Sequence, residues 1–97
     1  MTLVQVAFHI PGQLREFTGK HPIVHIDVPD GVTLLDALHA LFGVYPGLRD
    51  RVMTEAGEAR RHVNIFVANE NVRFMNGLAT EIPPEAQVSI VPAISGG

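Results

Sequence analysis

The residues with the most chemistry to offer are the last two, Gly96 and Gly97. A free α-carboxyl titrates near pH ~3.5 in model peptides, so at neutral pH it is an anion able to attack an electrophilic phosphate. Neither residue carries a Cβ, and glycine adopts backbone angles closed to other residues. Such an end fits a narrow channel that any side chain would block. The expectation is a reactive terminus presented to another protein, with Ile94 and Ser95 preceding it as part of the segment that the channel must accept.

Other chemistries find little support. The chain of 97 residues has no cysteine. That excludes disulfides and an internal thiol nucleophile and removes the usual soft metal ligand; any sulfur involved arrives from outside. Five histidines are present, His9, His21, His25, His39 and His62. His21 and His25 share one face of an extended segment but stand roughly 13 Å apart, too far to share an ion, so no metal is expected. Ser89 and Ser95 fall in a strand and a tail, not in a nucleophile elbow. The segment from Gly43 to Gly47 lacks the spacing of a phosphate-binding loop. A net charge of −3 argues against nucleic acid. The basic residues, six arginines and Lys20, are scattered along the sequence, with Arg60 and Arg61 the one adjacent pair. The N-terminus has no basic region followed by an apolar stretch and no run reaches membrane-spanning length. A cytoplasmic protein is expected.

The elements that must position the terminus are legible from periodicity. Val4, Val6, Phe8 and Ile10 alternate with polar or small residues, as do Val24, Ile26 and Val28, the pattern of two half-buried strands. They read as an antiparallel hairpin joined by a loop over residues 11–20. Thr33 is a fitting N-cap with Asp36 three residues on. Leu34, Leu35, Leu38, Leu41 and Phe42 then form the apolar stripe of a helix, with Gly43 as its C′ residue. Residues 46–53 add a short helical turn, and residues 55–61 form a polar, mobile loop. Val63, Ile65 and Val67 define a third strand, Val72 to Phe74 a short edge strand, and Gln87 to Val91 the last. Strand, strand, helix, strand, short strand, strand is the β-grasp arrangement. The fold expected is therefore α+β, a mixed sheet of about five strands packed on one main helix. The domain occupies residues 1–91, with a tail over 92–97 that can project about 20 Å at roughly 3.3 Å per residue.

The segments Val63 to Val67, Asn71 to Phe74, Asn76 to Thr80 and Val88 to Gly97 resemble the prokaryotic ubiquitin-like sulfur carriers. That family includes the small subunit of molybdopterin synthase and the thiamine sulfur carrier. The resemblance is strongest over the C-terminal third. Within the family it is greatest to carriers of the thiocarboxylate route to cysteine in actinobacteria, and the polar insertion at residues 55–61 suits that longer form. Two departures stand out. Pro83-Pro84-Glu85-Ala86 replaces a turn that carries aspartate-glycine in many relatives, and Ile94-Ser95 precedes the diglycine.

The resemblance implies that an E1-like activating enzyme adenylates the Gly97 carboxylate with ATP. Sulfide or a sulfur donor protein then yields a thiocarboxylate, which passes sulfur to an acceptor synthase, in cysteine synthesis first and molybdopterin next. The chain would act as a carrier, not an enzyme, and bind no cofactor itself. Partner contacts are expected on the sheet face opposite the helix, with Phe66, Phe74 and Arg73 as candidates and Ile94 as a tail anchor. Two other readings stay open. One is a ubiquitin-like modifier joined to lysines, for which Lys20 is the single internal acceptor; the other is a plain β-grasp interaction module.

Overall fold

The computed structural model describes residues 2–92. Strands β1 (Leu3–His9) and β2 (Ile23–Pro29) form an antiparallel hairpin in which Val6 lies opposite Ile26 and Phe8 opposite Val24. Helix α1 (Leu34–Val44) follows, then the single turn α2 (Arg49–Val52), β3 (Val63–Val67), β4 (Glu70–Asn71) and β5 (Gln87–Pro92). The sheet order is β2-β1-β5-β3-β4. β5 is parallel to β1 and antiparallel to β3, so the sheet is mixed and the C-terminal strand runs through its middle. Ubiquitin-like β-grasp architecture is therefore what the chain adopts.

The alternating strands form one core face. Val6 and Phe8, Val24 to Val28 at every second position, Val63, Ile65 and Val67, and Val88 and Ile90 are all buried. α1 covers them with Leu34, Ala37, Leu38, Leu41 and Phe42. Its entry is capped as expected, the Thr33 Oγ1 accepting the Asp36 N–H at 3.3 Å. The helix does not stop at Gly43. It runs to Val44, the Tyr45 N–H still bonds the Leu41 carbonyl, and Pro46 starts a separate 3-10 turn. Gly43 is exposed and faces open space, so no left-handed turn is needed there.

Three other expectations are corrected. Residues 11–20 are not a loop throughout, because Gly12–Thr18 forms a 3-10 helix that buries Leu14 and Thr18. The Thr18 hydroxyl hydrogen-bonds the His21 carbonyl at 2.9 Å and ties the segment to the approach of β2. Val72 to Phe74 is a 3-10 turn instead of a strand. Ala68 and Asn69 take positive φ values of 50° and 72° and reverse the chain early. β4 then spends itself on Glu70 and Asn71, whose side chain accepts the Arg73 N–H at 2.9 Å and closes the turn. Finally, Pro92 belongs to β5, opposite Val63, so the sheet holds the first residue assigned to the tail.

The polar segment after α2 is also built. Met53 bridges Ala59, the Thr54 N–H bonds the Glu58 carbonyl at 2.7 Å, and the Arg60 Nε donates to the Asp50 carbonyl at 2.7 Å. Among the described residues no helix is long and apolar enough to cross a membrane.

Candidate functional site

β5 delivers the C-terminus. Its pairing with β1 covers Gln87 to Ser89, whereas its pairing with β3 continues through Ile90, Val91 and Pro92. Pro92 has no N–H to donate and sits at the last rung, where a ladder tolerates proline. Ile94, Ser95, Gly96 and Gly97, the residues expected to enter a partner, lie outside the described residues. What the structure defines is the platform from which they depart.

That platform is a cleft of about 270 Å³ between the sheet and the helical segments. Gln13 and Leu14 of the 3-10 helix, Arg51 of α2 and His62 line it together with Val63, Ile90 and Pro92. The Arg51 guanidinium stacks on Phe17, its central carbon 5.2 Å from the ring centroid, an arrangement that holds a cation over an aromatic face. Sequence reasoning weighed His62 only as a metal ligand and passed over Arg51, since neither carries a motif for this cleft. The adjacent pair Arg60-Arg61 was the one visible signal of positive charge near this end.

The three contact candidates share one edge of the sheet. Phe66 is half-buried on the face away from α1, opposite Ser89 on one side and Asn71 on the other. Asn71 accepts the Arg73 N–H and donates to the Asn64 side chain at 3.4 Å, linking the turn to β3. Phe74 is 88% exposed, so it is not a core residue. The Arg73 guanidinium donates to the Arg61 carbonyl.

The remaining features lie elsewhere. A larger cleft of about 470 Å³ on the open sheet face includes His25, Gln87 and Glu85, toward the opposite end of the sheet from Pro92. Among the described residues no three of the His, Cys, Asp or Glu side chains gather as a metal site would require.

A five-stranded mixed sheet, one helix crossing it and a central strand that hands on the C-terminus define a ubiquitin-like β-grasp protein. The ThiS family profile matches residues 8–97, and the chain belongs to that family of ubiquitin-like sulfur carriers. The sulfur carrier protein CysO of Mycobacterium tuberculosis is 38% identical over 96 residues, 97% of this chain and 100% of its own. Small archaeal modifier protein 3 of Haloferax volcanii is 35% identical over 83 residues, 86% of this chain and 88% of its own. Among solved structures, a chain of the Amycolatopsis orientalis BexX/CysO complex superposes with a TM-score of 0.84 at 32% identity, covering 95% of this chain and 99% of that one.

Proposed function

We propose that this protein carries sulfur as a thiocarboxylate on Gly97 and delivers it to a biosynthetic synthase, cysteine formation being the first choice and molybdopterin the next. The observation that carries the reading is the full-length match to a family of sulfur carriers on a chain whose central strand ends five residues before Gly97.

The chemistry needs activation, because a carboxylate oxygen is a poor leaving group. In the active site of an E1-like partner, a Gly97 oxygen attacks the α-phosphorus of ATP. An O–P bond forms, pyrophosphate leaves, and the acyl-adenylate is the product. Hydrosulfide then adds to the acyl carbon and expels AMP, leaving the thiocarboxylate. If a donor protein supplies a persulfide, the acyl persulfide formed is cleaved by a second donor thiol, which ends as a disulfide. The partner binds ATP and supplies catalysis; the carrier supplies the reacting atom and is regenerated as the free acid. It is thus a co-substrate, working in the cytoplasm, where ATP is at hand. Phe66, Phe74 and Arg73 are the contacts we assign to partner binding.

The resemblance to a small archaeal modifier protein supports a second reading, in which the same adenylate is captured by a lysine. Intact-mass measurement separates the two. With activating enzyme, ATP and a sulfur donor, the carrier gains the mass of an oxygen-to-sulfur exchange. Lysine-linked adducts on other proteins would support the modifier, and a mass that never leaves the free acid would overturn both.

A further inference from the structure

We propose that the arginine-bearing end of the molecule, around the exit of the C-terminal residues, is a docking surface for an acidic rim surrounding the tail channel of the activating enzyme. The proposal rests on the carrier reading above and specifies how its partner is recognised.

The basic residues that are scattered in sequence converge in the fold. β1 and β5 run parallel and end at the same side of the sheet, where β2 and β3 begin. Arg15 and Lys20 belong to the connection between β1 and β2 at that side, with the Arg15 Nε donating to the Ile10 carbonyl at 3.0 Å. Arg49 and Arg51 are on α2, Arg60 and Arg61 lead into β3, and the Arg73 guanidinium reaches the Arg61 carbonyl. All seven Lys and Arg side chains of the sequence are therefore in the half that releases the terminus. Glu16, Asp50, Glu55 and Glu58 share that half. Asp27, Asp30, Asp36, Glu70, Glu81 and Glu85 occupy the other, where the Asp30 N–H bonds the Thr2 carbonyl and Glu81 bridges Thr33. A chain with a net charge of −3 is thus strongly polarised, and its positive end is the end that must approach the partner.

Among the described residues, several of these cationic side chains are also held in place by uncharged groups. Arg15, Arg60 and Arg73 each use a guanidinium N–H on a backbone carbonyl, and Arg51, which lines the same cleft as Pro92, lies on the Phe17 ring. Such contacts restrict the side chains while leaving their charge to act outward. Complementary rim charges accelerate encounter and fix orientation more than they add affinity. For a partner that must thread a chain end into a channel, orientation is the scarce quantity.

Phosphate is the less suitable occupant. Gly97 is the fifth residue beyond Pro92, a span of at most about 17 Å when extended. A fully extended tail would thus put its tip about two Debye lengths of about 8 Å from the platform at physiological ionic strength, where platform charge acts on what surrounds the base of the tail more than on a nucleotide at the tip. A protein rim of opposite charge is the complementary occupant.

Charge reversal tests the proposal. Arg49→Glu with Arg61→Glu changes two exposed side chains; thermal unfolding checks that the fold is kept. Carrier-dependent ATP–pyrophosphate exchange is then measured with the activating enzyme of the same organism as a function of carrier concentration. The half-saturating concentration should rise about tenfold, equivalent to two rim pairs of roughly 0.7 kcal/mol each, while the plateau rate stays unchanged. Raising salt should weaken the wild-type interaction in the same way, and Asp27→Lys with Glu81→Lys at the opposite end should have no such effect. An unchanged half-saturation in the Arg49→Glu, Arg61→Glu variant, with wild type saturating normally, overturns the docking surface and leaves the carrier reading standing. No exchange with the wild-type chain overturns the carrier reading and the surface with it. A short single-stranded RNA retained by wild type but not by the variant would assign the charge to nucleic acid and overturn the protein rim.

Discussion

Pro92 lies opposite Val63 at the last rung between β5 and β3, which fixes where the C-terminal residues leave the sheet. From that rung five residues remain to Gly97, so residue count sets how far from the platform the carboxylate can reach. Appending one alanine after Gly97 moves the carboxylate by roughly 3.3 Å and places a Cβ at the tip. The extended chain should lose carrier-dependent pyrophosphate exchange and acquire no sulfur by intact mass, whereas its melting temperature should match wild type because no core residue changes. Retained exchange would mean that the channel measures neither length nor side-chain size.

Glu85 precedes β5 with a φ of 63°, in a turn closed by the Ala86 N–H on the Pro83 carbonyl. Proline at the second position and positive φ at the third is the pattern of a turn that favours glycine there. A left-handed conformation costs a non-glycine residue about 1–2 kcal/mol, partly offset by the greater entropy that glycine brings to the unfolded chain. Glu85→Gly should therefore stabilise the protein by about 0.5–1 kcal/mol in urea unfolding. Destabilisation would show that the Glu85 side chain does more than its exposure suggests.

Phe74 separates structural from functional hydrophobicity. With 88% of its surface exposed, truncation removes little packing, and surface changes of this kind fall within about 0.5 kcal/mol. Phe74→Ser should leave the unfolding midpoint unchanged and raise the half-saturating concentration in the exchange assay. A lowered midpoint would reveal packing that the exposed position does not suggest.

The strands were readable because each buries one face: Val63, Ile65 and Val67 are buried while Asn64 and Phe66 between them are not. Val72, Arg73 and Phe74 show the same alternation, yet only Val72 is buried. Three residues are too few for periodicity to distinguish a strand from a tight turn, and the Asn71 side chain decides the matter locally. The 3-10 helix at Gly12–Thr18 escaped because its stability comes from tertiary contacts of Leu14 and Thr18, not from propensity. The platform was invisible for another reason. Arg15, Arg51 and Arg73 become neighbours of one chain end only after strand direction and sheet order are known. The chemistry of Gly97, by contrast, needed no fold to be suspected.

Gly47 gives the last prediction, through the support of Arg51. A Cβ built on Gly47 would stand 2.6 Å from the Phe17 Cδ1, closer than van der Waals contact permits, and Phe17 is the ring on which the Arg51 guanidinium rests. The ring must move to admit even one methyl group, and overpacking of this kind costs typically about 1–3 kcal/mol. Because Phe17 is only half-buried and can yield, the lower half of that range applies. Gly47→Ala should destabilise by about 1–2 kcal/mol, and the same change made in a Phe17→Ala background should cost much less, giving a coupling energy of about 1 kcal/mol in the double-mutant cycle. Gly47→Ala should also weaken the exchange interaction modestly, since Arg51 loses its support in the cleft that it lines with Pro92. Equal costs in both backgrounds would show that the penalty arises from the Gly47 backbone and not from the ring.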